Sequence, residues 1–405
     1  VMERVQRVIK KIEPHDSAER YRKLGVDCIN GEAKIITPYE VRVNGRSLIT
    51  KNIVIATGAR PFIPEIDGLE MVDYLTSDTI WNLRTKPQKM LVLGGGPIGC
   101  ELAQCFQRLD CNVTIIERNT RLLSREDSDV SLHVMERFKQ DGIQVLTGHT
   151  AKRVVVDSQK KYLVCERDGK TGAVEFDEIL IALGRKPNVE GFGAEELHIH
   201  TSMRGTIETD DFLRTNYPNI YACGDVAGPY QFTHTAAHQA WYVAVNALFK
   251  PFKKFKVNYS VIPWATYTDT EVARVGLNES EAKEKGIPSE VRRYGIDDLE
   301  RAIVEGEDSG LIKVLTEPGK DKILGVTIVG HHAGELIAEF VTAITHGLGL
   351  EKILGTIHIY PTLTEANKYV AGNWKKSHKP ERVLRWLDWF HRYRRLRGTQ
   401  PANVR

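Results

Sequence analysis

Apolar runs and helical patterns alternate along the central part of the chain. Residues 90–93 form a short apolar run that ends at Gly94, and a helical pattern follows to about Leu109. The next elements in the pattern are a strand at 113–117, a helix at about 129–140, and strands near 153–157, 162–166 and 178–183. Short apolar runs separated by helices are typical of buried parallel strands with helices packed on the sheet. The pattern therefore predicts an α/β, doubly wound domain in this region.

The pattern differs on either side of this region. One apolar run ends at Gly58 and another, further along the chain, ends at Gly224, so each predicts a strand that enters a tight turn. From about Tyr259 the chain shows β-rich segments, a hairpin signal at residues 317–320 and a helical pattern over residues 333–346. These features predict a separate α+β domain in the C-terminal part of the chain.

Length and composition exclude several classes of protein. The chain has 405 residues, 41% of them hydrophobic and 27% charged, which is typical of a folded protein with two or three domains. The net charge of +3 is too small to indicate nucleic-acid binding. No apolar run approaches the roughly 18 residues that a membrane-spanning helix needs. Six scattered cysteines without metal-ligand spacing indicate a reducing, cytoplasmic compartment and no metal site.

Two of the cysteines, Cys100 and Cys105, have the C-x4-C spacing of redox-active disulfides. They follow a glycine-rich turn, however, in a segment whose pattern is helical. Side chains five residues apart on a helix point about 140° away from each other. We therefore expect both cysteines to be buried as small hydrophobic residues rather than paired.

The strongest chemical signal is the glycine-rich turn after the first of these strands. Gly94, Gly96 and Gly99 match the G-x-G-x-x-G pattern, which makes a tight turn, lets a pyrophosphate approach the backbone and lets helix pack on strand. Glu117 ends the next predicted strand, 23 residues after Gly94, as a dinucleotide site requires. A carboxylate there accepts from ribose hydroxyls and repels a 2′-phosphate, so Glu117 favours NAD, whereas the neighbouring Arg118 leaves NADP open. The alternative is a glycine-rich turn without a ligand.

Two further strands end at glycines. Thr57 and Gly58 follow one strand, and Gly224 and Asp225 follow the other. Asp225 at the carboxyl end of a strand is well placed to bind a sugar-like hydroxyl. Taken singly, the first pair is also compatible with a simple turn and Asp225 with a helix cap, but the combination is distinctive.

These residues resemble the pyridine nucleotide-disulfide oxidoreductase family, which contains dihydrolipoamide dehydrogenase, glutathione reductase and mercuric reductase. The match covers about residues 1–375, and residues 231–237 and 359–362 are most similar to mercuric-reductase-like members. The resemblance implies that Thr57 and Gly58 belong to a flavin motif and that Gly224 and Asp225 bind the flavin ribityl chain. The further cofactor-binding residues that it implies are Glu101 and Gly184 near the nicotinamide, Ala33 near the adenine, and Gln231, Phe232 and Thr233 beside the isoalloxazine ring.

The resemblance also implies an architecture and an assembly. We expect two doubly wound (Rossmann-like) nucleotide-binding domains, one for FAD and one for NAD(P), and a C-terminal α+β dimerisation domain. The expected divisions are an FAD-binding domain at 1–85, an NAD(P)-binding domain at 86–205, the continued FAD-binding domain at 206–256, a dimerisation domain at 257–375 and a basic aromatic tail at 376–405. A homodimer is implied, with each active site shared across the two-fold axis.

The chain departs from the family pattern at its start. Family members begin with a first G-x-G-x-x-G for the flavin pyrophosphate and a C-x4-C redox pair, and we expect both to lie upstream of Val1. Without that anion site, the 405 residues are expected to hold FAD weakly.

A second departure concerns the acid–base catalyst. Disulfide reductases of the family carry a histidine immediately before a Pro-Thr pair, where this chain has Tyr360. His358 lies two residues earlier, and the glutamate that orients the family's histidine is retained as Glu365. A tyrosine, with an ordinary pKa of about 10, is a poor base at neutral pH. The paired C-terminal cysteines of mercuric reductases are also missing, since no cysteine follows Cys223. The candidate catalytic residues are therefore Tyr360, Glu365 and His358.

The expected function is that of a mercuric-reductase-like enzyme that passes a hydride from NAD(P)H through FAD to a disulfide or a metal ion. Two alternatives remain open. The first is a flavin-less nucleotide-binding or redox-sensing module, and the second is an NADH oxidase or quinone-type reductase without thiol chemistry.

The composition of the C-terminal segment predicts a contact with another surface. Its basic residues are Lys375, Lys376, Lys379, Arg382, Arg385, Arg392, Arg394, Arg395 and Arg397, and its aromatic residues are Trp374, Trp386, Trp389, Phe390 and Tyr393. Several apolar side chains share one broad helical face, namely Val383, Leu384, Trp386, Leu387 and Phe390. Such a helix can lie on an anionic membrane, which would make a cytoplasmic protein peripherally membrane-associated. The alternative is a solvated or dimer-packed extension.

Overall fold

The computed structural model describes residues 1–250 and 252–396 and divides into two compact units, Val1–Asp269 and Thr270–Arg405. Arg397, one of the basic residues of the predicted tail, lies outside the described residues. Within the described ranges, no helix combines the length and the apolar character needed to cross a bilayer.

The first unit contains helices and strands in an order typical of α/β proteins. Its helices are α1 (Met2–Ile12), α2 (Ala18–Lys23), α3 (Pro97–Gln107), α4 (Ser128–Asp141) and α5 (Thr233–Phe249). Its strands are β1 (Ala33–Thr37), β2 (Glu40–Val43), β3 (Arg46–Ile49), β4 (Ile53–Ile55), β5 (Ala59–Pro61), β6 (Lys89–Leu93), β7 (Asn112–Glu117), β8 (Gln144–Thr147), β9 (Thr150–Asp157), β10 (Lys160–Arg167), β11 (Lys170–Phe176), β12 (Glu178–Ile181), β13 (Arg185–Pro187), β14 (Ile220–Ala222) and β15 (Pro263–Thr266).

A parallel sheet forms the centre of the predicted nucleotide-binding region. Its strand order is β12-β6-β7-β8, and all three pairings are parallel. Leu91 and Ile116 of this sheet are fully buried and pack in one core with Val154 and Phe176. Because neither face of these strands meets water, they read as continuous apolar runs rather than as alternating patterns. The predicted α/β region is therefore confirmed.

Two short strands bring the other glycine motifs to one edge. β4 and β14 pair in parallel, with Ile53 opposite Ile220 and Ile55 opposite Ala222. Their carboxyl ends consequently lie side by side. Eight further strands form antiparallel groups, namely β1-β2-β3, β9-β10-β11 and the pair β5-β13.

The second unit is an α+β domain built on an antiparallel sheet. Its strands β16 (Glu271–Gly276), β17 (Glu290–Gly295), β18 (Leu311–Thr316) and β19 (Ile323–Gly330) lie in the order β16-β19-β18-β17. Its helices are α6 (Glu279–Glu284), α7 (Glu300–Glu305), α8 (Ala333–Thr345), α9 (Leu350–Leu354), α10 (Glu365–Ser377) and α11 (Glu381–Leu396). The predicted hairpin turn joins β18 to β19, where Gly319 has a φ of 70° and the Lys320 N–H donates to the Glu317 carbonyl oxygen.

One expectation about burial was wrong, and one buried residue was not anticipated. Cys100 is fully buried in α3, but Cys105 is exposed, because α3 rests on the sheet with only one of its faces. Trp374, the first aromatic residue of the basic and aromatic C-terminal segment, is only 5% exposed in α10, where its ring stacks on that of His378. Residue type alone did not indicate either result, since both depend on which face of a helix meets the core.

Candidate functional site

The glycine-rich turn connects β6 to α3, and each of its glycines meets a different constraint. Gly94 has a φ of 114°, which side chains rarely adopt. A Cβ atom at Gly99 would lie 2.0 Å from the Gly94 carbonyl oxygen, so α3 can approach the turn only without a side chain there. A Cβ atom at Gly96 would meet nothing within 4 Å. The turn is therefore closed at its ends and open at Gly96, beside the N-terminus of α3, where an anion binds most favourably.

Glu117 lies against this turn and is only 8% exposed. Its carboxylate accepts hydrogen bonds from the Gly95 N–H at 2.7 Å and from both the backbone N–H and the side-chain amide of Asn119, at 2.6 and 2.7 Å. These three bonds use three of the roughly four acceptor positions of a carboxylate, which leaves one for a ribose hydroxyl. Arg118, the next residue, is exposed. Sequence reasoning missed Gly95 and Asn119, although the third consecutive glycine was a visible signal.

Glu101 projects from α3 and is half-buried. Its carboxylate accepts the backbone N–H of Tyr267 at 2.8 Å. Burial raises the pKa of the Glu101 carboxyl above its ordinary value, although the bond from Tyr267 opposes this effect. A partly desolvated carboxyl group in the nucleotide region is the type of group that functional sites contain.

Thr57, in the first predicted flavin motif, is hydrogen-bonded to Asn188 in the segment that follows Gly184. The Thr57 hydroxyl donates to the Asn188 carbonyl oxygen at 2.6 Å, and the Asn188 side-chain amide donates to the Thr57 carbonyl oxygen at 2.9 Å. Gly58 and Gly184 have φ values of 68° and 109°, and a Cβ atom at either would meet nothing within 4 Å. Both glycines thus leave open space beside a backbone that the Thr57–Asn188 pair holds in place.

Gly224 and Asp225, the second predicted flavin motif, have hydrogen-bond and ion-pair partners of their own. The Gly224 N–H donates to the side-chain oxygen of Gln239 at 2.6 Å, and Gln239 is fully buried in α5. Asp225 forms an ion pair with Arg185 at 3.3 Å, which links the two motifs through the strand that follows Gly184. Gln239 and Arg185 are further residues that sequence reasoning did not assign to the site.

An aromatic stack follows the second motif at the start of α5. The ring of Phe232 stacks on that of His234 at 5.2 Å and faces that of Trp264 at 6.2 Å, with the planes within 16° of each other. Thr233 is the first residue of α5, and Gln231 precedes the stack. The structure thus places residues 231–233 at a helix N-terminus beside stacked rings. Ala33 lies in β1 opposite Val43, and its contact with adenine stays a prediction.

The three candidate catalytic residues lie in the second unit and have separate partners. The Tyr360 hydroxyl donates a short hydrogen bond to Glu300, and this bond is the main reason that the pKa of Tyr360 is raised. Glu365 accepts from the Thr362 N–H at 3.2 Å and from the Tyr369 hydroxyl at 3.2 Å. The Tyr360 hydroxyl therefore donates to a carboxylate of α7 rather than to the retained family glutamate, Glu365.

His358 is held on both sides. Its Nδ1 atom lies 3.1 Å from the Thr356 carbonyl oxygen, and its Nε2 atom lies 3.1 Å from a carboxylate oxygen of Glu339. Asn367 donates to the same carboxylate at 2.9 Å. The side chain of His358 is only 5% exposed. Both ring nitrogens face acceptors, which suits a positioning role better than proton exchange with a substrate.

Comparisons with known proteins agree with this geometry. The model for the pyridine nucleotide-disulphide oxidoreductases matches residues 3–240, and the model for their dimerisation domain matches residues 262–371. The chain belongs to the pyridine nucleotide-disulphide oxidoreductase family. The family match confirms the predicted family and fold class, and its dimerisation domain fits the expected homodimer.

Individual members of the family are similar over most of the chain. Mercuric reductase of Staphylococcus aureus is 35% identical over 362 residues, which are 89% of this chain and 65% of that protein. Dihydrolipoyl dehydrogenase of Chlamydia muridarum is 32% identical over 345 residues, 84% of this chain and 73% of that protein. The solved structure of the HOCl-induced flavoprotein disulfide reductase RclA from Escherichia coli aligns with a TM-score of 0.83 at 25% identity, over 92% of this chain and 85% of that chain.

The chain spans less than two thirds of the length of the mercuric reductase that it resembles. These relatives are reductases and dehydrogenases of one family, and they give no support to the alternative of a flavin-less module.

Proposed function

We propose that the protein is an FAD-dependent oxidoreductase that takes a hydride from NAD(P)H and delivers the electrons to a metal ion or another small acceptor. The observation that carries this proposal is the glycine turn, which is open only at Gly96 and has the Glu117 carboxylate beside it. A nicotinamide dinucleotide suits this arrangement because its pyrophosphate needs the N-terminus of α3 and its ribose needs the remaining acceptor of Glu117.

The residues at the carboxyl ends of β4 and β14 fit a flavin. Thr57 and Gly58 follow one strand and Gly224 and Asp225 follow its neighbour, and ligands of doubly wound folds bind at this edge of the sheet. In this proposal, Asp225 binds the ribityl hydroxyls and the backbone of residues 231–233 lies beside the ring system. When bound there, FAD supplies an acceptor for the hydride and a donor of electrons to the final substrate.

In this proposal, the acid–base chemistry of Tyr360 limits which acceptors the enzyme can reduce. Reduction of a disulfide takes up two protons with its two electrons, whereas reduction of Hg²⁺ to the metal takes up two electrons and no proton. The proposed donor releases one proton as NAD(P)H becomes NAD(P)⁺. A tyrosine, with an ordinary pKa of about 10, is a poor base for thiol protons near neutral pH, and the hydrogen bond to Glu300 shifts the pKa of Tyr360 further upward. We therefore favour a metal ion as the acceptor over lipoamide or glutathione disulfide, whereas a quinone, whose reduction to the hydroquinone also takes up two protons, is not favoured by this balance.

A rate comparison with the flavin-loaded enzyme tests this proposal. Hg²⁺, Cu²⁺, a small quinone and lipoamide would be compared as acceptors for wild type, Tyr360→His and Tyr360→Phe. Wild type should reduce a metal ion faster than lipoamide, and Tyr360→His should raise the lipoamide rate by about tenfold to a hundredfold. Tyr360→Phe is the matched control, since it removes the hydroxyl without adding a base. Equal lipoamide rates for wild type and Tyr360→His would contradict the assigned role.

A second function, contact with an anionic membrane, is favoured by the geometry of α11. Trp386 is 57% and Trp389 60% exposed, and each stacks on the aromatic side chain one turn later, Phe390 and Tyr393 respectively. Aromatic rings along one face of a basic helix are typical of helices that lie in a membrane interface. The variant Trp386→Ser with Trp389→Ser should cosediment with phosphatidylglycerol vesicles at least about tenfold less than wild type. Equal sedimentation of the two proteins would exclude this contact.

A further inference from the structure

A second basic and aromatic segment lies in the first unit, where it includes the last two residues of α5 and the residues that follow the helix. It comprises residues 248–250 and 252–256, which we call the lysine–phenylalanine loop. Phe252 is 91% exposed, Leu248 76% and Phe249 51%. Single exposed apolar residues are common, but three within five positions form a contiguous patch, and such patches mark interaction surfaces.

Hydrogen bonds to a buried residue of the first unit fix the conformation of the loop. Asn246, which is only 3% exposed, accepts the Phe255 N–H at 2.7 Å and donates to the Phe255 carbonyl oxygen at 2.8 Å. The N–H groups of Phe252 and Lys253 donate to the Phe249 carbonyl oxygen, which closes the turn. Because a buried amide anchors both polar groups of Phe255, the outward position of Phe252 is a property of the folded loop.

Aromatic side chains support the base of the loop. The ring of Phe255 contacts that of Phe249 at 6.3 Å and that of Trp241 at 5.9 Å, in edge-to-face arrangements. Trp241 is itself 55% exposed. The exposed apolar surface therefore continues from the loop onto α5, and a tryptophan at its border suits the boundary between water and an apolar phase.

The charge of the loop is entirely positive. Its four lysines are Lys250, Lys253, Lys254 and Lys256, and the sequence has no acidic residue from position 248 to position 256. Lys256 forms an ion pair with Asp211 at 2.7 Å. Lys253 and Lys254 instead lie over the rings of Phe255 and Phe212, at 5.0 and 5.7 Å. Their ammonium groups therefore lie beside the apolar patch, so a partner would contact positive charge and apolar surface together.

We propose that the lysine–phenylalanine loop inserts into the surface of an anionic lipid bilayer. A bilayer of this kind offers phosphate groups to the lysines and, just below them, acyl chains to Phe252 and Leu248. A nucleic acid or another polyanion would satisfy only the lysines, and a second copy of this chain has a net charge of +3, which offers no overall attraction to them. An anionic bilayer therefore matches both the lysines and the apolar side chains of the loop. The proposal does not rest on the redox reaction.

Partition of the full chain into vesicles tests the loop. Phe252→Ser should lower partition into phosphatidylglycerol vesicles about tenfold, because one phenyl ring no longer enters the interface. Lys253→Gln with Lys254→Gln should lower it about fivefold for each lysine and should have little effect on pure phosphatidylcholine vesicles. Matched controls are Met203→Ser, an equally exposed apolar side chain elsewhere in the unit, and Lys139→Gln with Lys170→Gln, two exposed lysines.

Three outcomes would overturn the proposal. The first is that Phe252→Ser partitions like Met203→Ser. The second is that the lysine variant alone loses binding, equally for vesicles and for a soluble polyanion. The third is that Phe252→Ser changes the oligomeric mass instead of the partition, which would identify a second copy as the occupant. The effect of Phe252→Ser should persist when Trp386 and Trp389 of α11 are also replaced, so that the two membrane contacts succeed or fail separately.

Discussion

Two methyl groups added three residues apart should affect stability differently. In Gly99→Ala, the new carbon would lie 2.0 Å from the Gly94 carbonyl oxygen and 3.4 Å from the Ala182 side chain, so α3 must move away from the sheet. Overpacking of this kind costs about 3 kcal/mol. For a unit of this size the melting temperature should fall by about 6–10 °C.

In Gly96→Ala the new methyl group meets no protein atom within 4 Å, and the φ of −79° is one that alanine adopts easily. Stability should therefore stay within about 1 kcal/mol of wild type, with a small gain from the less flexible unfolded chain. The methyl group would, however, occupy the space that a pyrophosphate needs at the N-terminus of α3. The affinity for NAD⁺ should fall about tenfold to a hundredfold, which corresponds to about 1.4–2.7 kcal/mol.

Thermal unfolding and calorimetric titration with NAD⁺ would measure both effects on the same preparations. Gly99→Ala should lose stability and, through the displaced turn, affinity as well, whereas Gly96→Ala should lose affinity alone. Wild-type affinity in Gly96→Ala would refute the assignment of this turn to the dinucleotide. A similar loss of stability in both variants would show that the space beside Gly96 is not open in the folded protein.

Three further predictions follow from single side chains. Steady-state kinetics should give a higher kcat/KM for NADH than for NADPH, and Glu117→Ala should narrow that difference; a wild-type preference for NADPH would show that Arg118 dominates. His358→Gln should lower the free energy of unfolding by about 1–3 kcal/mol through the loss of its contacts with Thr356 and Glu339, yet leave acceptor reduction per folded molecule unchanged; a selective loss of activity would identify His358 as the base. Because burial raises the pKa of Glu101, the folded protein keeps this proton to higher pH than the unfolded chain and loses stability as pH rises between the two values. Glu101→Gln should therefore have a higher urea midpoint than wild type at about pH 8, with the difference vanishing near about pH 4; a constant difference across this range would contradict the shift.

Local patterns in the sequence determined much of the fold and the identity of the family. Strand, turn, helix and following strand around Gly94 are adjacent in the chain, so their periodicity and spacing suffice to indicate a doubly wound nucleotide-binding region. The same holds for the α+β character of the C-terminal part and for the helix over the basic aromatic tail. Tyr360 was likewise visible as a departure from the family pattern, because it occupies a defined position before Pro361.

Only the tertiary structure decided which side chains meet. Tyr360 and Glu300 are 60 residues apart, and Thr57 and Asn188 are 131 apart, so neither pairing follows from local periodicity. The burial of Cys100 and the exposure of Cys105 depend on which face of α3 rests on the sheet. The same reasoning applies to Phe252, whose exposure is set by a hydrogen-bonded turn and by Asn246 in the preceding helix. Sequence patterns report the preferences of neighbouring residues, whereas partners, burial and exposure depend on contacts between distant segments that form only on folding.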